Sequence, residues 1–186
     1  MEVIIHLIFQ VIKIAIQATL YGYLFLKLFS NINKSDPHSW FQKITANKRR
    51  FRFLSRILIS ITLFIWMFSY WGDHGLGDHA RIPIGNGKSI EQINGTMSYI
   101  RPSGHEFETY SINSYSVKGS YCVGQKKNKS SYFVWDLESN IIQTLKSKDE
   151  YYLIAKKLNL PDEYKFVEFW EGYKNFWGTW RFWLLP

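Results

Sequence analysis

Residues 1–30 read MEVIIHLIFQVIKIAIQATLYGYLFLKLFS, an apolar run of roughly seven helical turns whose polar side chains fall on one line. At about 100° per residue, Glu2, His6, Gln10, Lys13 and Gln17 lie within an arc of roughly 80°, with Lys27 at its edge. The other faces carry Val, Ile, Leu, Phe and Ala. An ammonium such as that of Lys13 costs about 2.5–3.5 kcal/mol in hydrocarbon unless it faces water or a partner. The sequence therefore predicts a helix over 1–30 in one of two settings. It spans a bilayer with its stripe shared among neighbours, or it lies in the interface with the stripe in water. The start is Met-Glu and no small-residue cleavage site follows, so the segment is expected to be retained.

Next comes a polar stretch, 31–52, with the cluster Lys48-Arg49-Arg50-Phe51-Arg52, read as a basic loop. Residues 53–71 are again apolar, with Arg56 near the start and Trp66, Phe68, Tyr70 and Trp71 at the far end as an aromatic belt. At about 1.5 Å per residue this second stretch is nearly 30 Å long, matches a hydrocarbon core and reads as the more secure span. Residues 1–72 hold nine Lys or Arg against two acids, a net charge of +7; the rest of the chain carries +1. The basic balance thus belongs to the membrane-proximal part and does not mark a partner for duplex nucleic acid. Arg49, Arg50 and Arg52 are expected at the inner headgroups, which places the following domain outside the cytoplasm by the positive-inside rule.

Residues 72–88 contain five glycines and read as a connector. Within it, Asp73, His74, Asp78 and His79 form a candidate divalent-metal set, set against a hydrated connector whose acids cap turns. The tail Gly87-Lys88-Ser89 lacks the earlier glycine of a phosphate loop, since position 82 is Ile. Nucleotide hydrolysis is therefore not expected.

From 89 onward the pattern turns to short strands rich in Ile, Val, Tyr and Thr, at 89–100, 109–117, 120–123, 132–137 and 141–145. Ser147 and Glu150 read as a capping box. They open a helix with Tyr151, Leu153, Ile154 and Leu158 on its buried face, ended by Pro161. The last segment, 161–186, repeats aromatic residues at three and four. Its rings either close the domain core or, with Trp177, Trp180 and Trp183, return to the membrane interface beside Trp71. The fold class read from the sequence is a membrane α-helical part of two N-terminal helices plus a small β-rich α+β soluble domain over 89–186. Cys122, the single cysteine, permits no intrachain disulfide.

No catalytic constellation and no cofactor site emerges, so an enzyme is not expected. The stripe points instead to an oligomeric pore, in which several copies turn His6, Gln10, Lys13 and Gln17 toward a common axis. The alternative is a non-conducting, membrane-anchored binding or scaffold module whose stripe is a packing seam. Two membrane helices over 1–71 followed by a compact domain over 90–186 without an enzyme motif resemble the membrane effectors of bacterial anti-phage systems, where a nucleotide signal regulates permeability. The resemblance implies a bacterial inner-membrane location and a cytoplasmic, ligand-gating domain. In that domain Lys126, Lys127 and Lys129 would meet a nucleotide or oligonucleotide. The basic residues between the helices depart from it by favouring the opposite orientation.

Overall fold

The computed structural model describes residues 2–35, 47–72, 79–102, 109–128 and 130–186. They form two compact units, Met1–Leu76 with Trp183–Pro186, and Gly77–Phe182.

The first unit is a pair of packed helices, α1 (Glu2–Ser35) and α2 (Lys48–Met67), with the last four residues of the chain. Helix α1 runs five residues past the expected end at 30. Helix α2 begins inside the supposed basic loop. Asn47 Oδ1 accepts the Arg50 N–H at 3.0 Å, an N-cap that starts the helix ahead of the arginines. At the other end α2 stops at Met67, and 68–72 form turns closed by Phe68 N to Ile65 O and Gly72 N to Ser69 O. This changes the membrane reading. Residues 53–67 are only about 22 Å of helix and still contain Arg56. One helix among the described residues is long and apolar enough to cross a membrane, and it is Ile4–Asn31 of α1, not the second stretch.

The second unit is a seven-stranded antiparallel meander with strand order β1 to β7. Its strands are β1 (His79–Gly85), β2 (Lys88–Ile93), β3 (Met97–Ile100), β4 (Tyr110–Lys118), β5 (Tyr121–Lys126), β6 (Tyr132–Asp136) and β7 (Ile142–Leu145). Two of the strand expectations change. The stretch expected as a connector supplies β1, and the strand expected over 89–100 is two. Asn-Gly turns cause both differences: Asn86 and Gly87, then Asn94 and Gly95, have φ between 49° and 70°, the left-handed conformation of tight hairpins.

Alternation along the strands builds two cores. On one face Ile82, Ile90, Ile100, Ile112, Cys122, Phe133 and Trp135 pack with Phe169 of helix α4 (Phe169–Trp177). On the other, Val123, Val134 and Leu145 pack with Tyr151 and Ala155 of helix α3 (Lys148–Leu158). Ser147 accepts the Glu150 N–H at 3.2 Å as a capping box requires, while Glu150 accepts the N–H of Lys146 at 2.8 Å, one residue ahead of the expected N-cap partner. The buried face of α3 is narrower than expected: Leu153 and Leu158 are exposed, and Ala155 takes their place. Helix α4 continues through Gly172, where a Cβ would stand 2.0 Å from Tyr115 Oη, so the glycine serves close packing and not a break. Gly178 does end it, and the short helix α5 (Trp180–Leu184) follows.

Candidate membrane and ligand sites

The helical unit has its polarity inverted relative to a water-soluble helix pair. On α1 the buried side chains are Gln10, Ile14, Gln17 and Ala18, with both glutamines only 5% exposed. Ile5, Ile16, Leu20 and Leu24 of the same helix, and Leu58 and Ile65 of α2, are half or more exposed. Small residues at a four-residue spacing let the helices approach: Ala18 is buried, and a Cβ at Gly22 would lie 3.3 Å from Ser55 Oγ. Hydroxyls along both helices bond back to their own backbone, Thr19 to Ala15 O, Ser55 to Phe51 O and Thr62 to Leu58 O, at 2.8–2.9 Å. These three hydroxyls thereby satisfy their donors within their own helices.

Gln17 is held by the end of the chain. Its Nε2 donates to Trp183 O at 2.9 Å and Leu185 O at 3.0 Å, and Tyr21 Oη donates to Leu184 O at 2.6 Å. The Oε1 atoms of Gln10 and Gln17 are buried with no donor among the described residues. His6 and Lys13, the other expected pore residues, are half-buried. Of the expected interface residues, Arg49, Arg50, Arg52, Trp66 and Trp71 are exposed and Tyr70 is half-buried against Trp71, edge-on at 4.8 Å. Trp180 and Trp183 are also exposed, whereas Trp177 is not. Its indole donates to Arg81 O at 2.7 Å inside the β-rich unit, so Trp177 is a packing residue there.

A polar network spans β1 to β3 on the face opposite α4. Arg81, Glu91 and Tyr99 are direct cross-strand partners, which brings their side chains into one row. Glu91 Oε1 accepts from Arg81 at 3.0 Å and Ser89 at 3.1 Å; Oε2 accepts from Tyr99 Oη at 2.7 Å and lies 3.3 Å from His79 Nε2. Burial raises the Glu91 carboxyl, but the Tyr99 hydroxyl, the Arg81 guanidinium, the Ser89 hydroxyl and His79 outweigh it and hold it below its ordinary value. Burial first, then the Glu91 contact, pushes the Tyr99 phenol up to about 12. With a stabilised carboxylate and a stabilised phenol, neither group is poised to exchange a proton near neutral pH. The network orders three strands. Arg81 Nε is buried within it with no partner among the described residues.

His79, from the expected metal set, is thus engaged with Glu91 and Tyr99, while Asp73, His74 and Asp78 lie outside the described residues. Among the described residues no group of three or more His, Cys, Asp and Glu side chains could hold a metal ion.

The lysines expected to meet a ligand are dispersed. Lys126 Nζ sits 5.0 Å from the Tyr110 ring centroid, Lys127 is exposed in the β5–β6 turn, and Lys129 lies outside the described residues. A different set of cations converges on a cleft of about 740 Å³ between β4 and α3, where Lys118, Lys156 and Lys165 face Tyr152 and Asp162. Lys118 Nζ donates to Asn159 O, the carbonyl of the left-handed residue that ends α3. Sequence spacing gives no hint of this grouping, since its members come from a strand, a helix and a 3-10 turn.

Neither protein-family models, nor curated proteins, nor solved structures contain a match to this chain.

Proposed function

We propose that this chain is an integral membrane effector: its helical unit is embedded in a bilayer, copies associate with the half-buried His6 and Lys13 of the α1 stripe toward a common axis to permeabilise it, and the β-rich unit regulates that step. The observation that carries the reading is the inverted polarity of the helical unit, glutamines inside and Ile, Leu and Phe outside. In water an exposed apolar surface of this extent favours association or insertion. In hydrocarbon the cost falls instead on the orphaned Gln10 and Gln17 acceptors, about 1–3 kcal/mol each. Assembly around a hydrated axis would place the half-buried His6 and Lys13 in a polar ring, and opening of the helix pair toward that axis would bring its water to both acceptors.

The lysine-lined cleft is the site proposed for an anionic signal such as a nucleotide, because three ammonium groups and one tyrosine ring match phosphates and a base. On this reading, as in the bacterial anti-phage effectors that the chain's layout resembles, ligand binding would control permeability. The internal bonding of Gln17 favours a second reading, in which the helical unit is a non-conducting anchor for the β-rich unit.

Reconstitution of the full chain into dye-loaded liposomes separates the two. A pore predicts leakage that Lys13→Leu and Gln17→Leu reduce. Protein that floats with the vesicles at high protein-to-lipid ratio, with candidate nucleotides present, and releases no dye overturns the pore and leaves the anchor.

A further inference from the structure

We propose that the helical unit carries a specific site for one anionic phospholipid, its phosphate against Arg50 and one acyl chain laid in the groove between α1 and α2. This rests on the membrane-embedded reading above, and not on the pore. Two hollows meet at Asn47 and Arg50. One, of about 610 Å³, is apolar and lined by Phe25, Phe29, Phe51, Leu54 and Leu58. The other, of about 550 Å³, is walled by Arg49, Arg50, Arg52 and Arg56.

The charge arrangement calls for an anion. Cations in the first turn oppose the helix dipole, yet α2 opens with Lys48, Arg49 and Arg50 and has no acidic residue in that turn. None of the four guanidinium groups has a carboxylate partner among the described residues. A bound phosphate would meet both the dipole and the arginines.

The groove then selects a lipid over a free anion. Phe29 and Phe51 stand edge-on at 6.0 Å in its lining, an aromatic wall against which a chain of methylene groups buries apolar area and inorganic phosphate buries none. A zwitterionic headgroup would bring its own cation against four arginines, so the occupant is a lipid of net negative charge.

The test uses the full chain in neutral detergent, with retained lipid measured by native mass spectrometry. Phosphatidylglycerol should be retained at least fivefold over phosphatidylcholine of the same chains. Arg50→Gln should lower that retention about fivefold, the value of one arginine at an anionic surface. Leu54→Trp fills the groove while keeping every arginine and should lower it as well; this variant decides the matter if Arg50→Gln does not fold. Lys146→Gln, in the other unit, should change nothing. Equal retention of the two lipids, or retention unaltered by Leu54→Trp, or displacement of lipid by millimolar inorganic phosphate alone, overturns the site. Flotation with phosphatidylcholine vesicles keeps the two readings apart: a chain that fails to float removes the embedded reading itself, whereas one that floats without preferring phosphatidylglycerol removes only the lipid site.

Discussion

The side-chain amide of Gln17 donates to the backbone carbonyl of Trp183 at 2.9 Å, joining positions 166 residues apart in the chain. A second bond from the same nitrogen reaches Leu185 O at 3.0 Å. The two glutamines of the stripe are therefore unequal. Gln17→Leu would strip both carbonyls of their donor in an apolar setting and is expected to destabilise the helical unit by about 1–3 kcal/mol. At Gln10 the buried Oε1 has no donor to lose, so Gln10→Leu should be neutral or stabilising. Thermal unfolding of both variants in the same detergent checks this, and equal destabilisation would remove the special role of Gln17.

Glu91 makes the stability of the β-rich unit depend on pH in a defined direction. Its carboxyl is held below the ordinary 4.5 by its partners, so the unfolded chain takes up a proton first as pH falls. The stabilisation is complete above that ordinary value and is lost as pH drops through the lower, folded value. Tyr99 acts at the other end. Its stabilisation is complete below the ordinary 10.0 and is lost as pH rises through about 12. Glu91→Gln should lower stability at pH 7 and flatten the acid side of the curve below about 4.5. A wild-type and variant pair losing stability in parallel between pH 6 and 3 would rule out this linkage.

Local chemistry in the sequence reaches a good part of this fold. The stripe of α1, the capping pair Ser147 and Glu150, and the strands β4 to β7 follow from periodicity and side-chain preference. Asn86-Gly87 and Asn94-Gly95 also carry their turns in plain view, although the glycines around them read as a loose connector. What is not legible is what depends on partners distant in the chain. Nothing near Gln17 announces Trp183, and Arg81, Glu91 and Tyr99 meet only once strand register is set. Lys118, Lys156 and Lys165 likewise converge through topology, while the adjacent Lys126 and Lys127 attract attention by sequence proximity alone.

Gly172 illustrates how a tertiary contact reverses a local expectation. A methyl group there would overlap the hydroxyl of Tyr115, a buried ring in the sheet core. Gly172→Ala improves helix propensity by about 1 kcal/mol in isolation, yet is expected to destabilise the unit by about 1–3 kcal/mol. Removing the hydroxyl with Tyr115→Phe should restore part of that loss, since Cζ of the ring would still lie 2.9 Å from the added methyl. A double-mutant cycle in urea measures the coupling, and additive effects of the two substitutions would contradict the overlap.

Cys122 provides an internal reporter of the same core. It is fully buried between Val117 and Trp135 in the strand register, and burial alone pushes its thiol well up. A maleimide should leave the native chain unmodified for hours and label it at the rate of global unfolding in denaturant. Rapid labelling without denaturant would show that the β5 region opens locally.

The lysine cleft yields the most direct test of ligand recognition. Lys156→Glu with Lys165→Glu reverses two charges on exposed side chains and leaves the Lys118 bond to Asn159 in place. If the cleft holds an anionic signal, the pair should weaken binding of a fluorescent dinucleotide by roughly tenfold or more at low salt. The loss should shrink as salt shortens the screening length to about 8 Å. The matched pair Lys126→Glu and Lys127→Glu, at the other end of β5, should weaken binding far less. The opposite ranking in fluorescence anisotropy would return the ligand to the β5–β6 turn, where the sequence first suggested it.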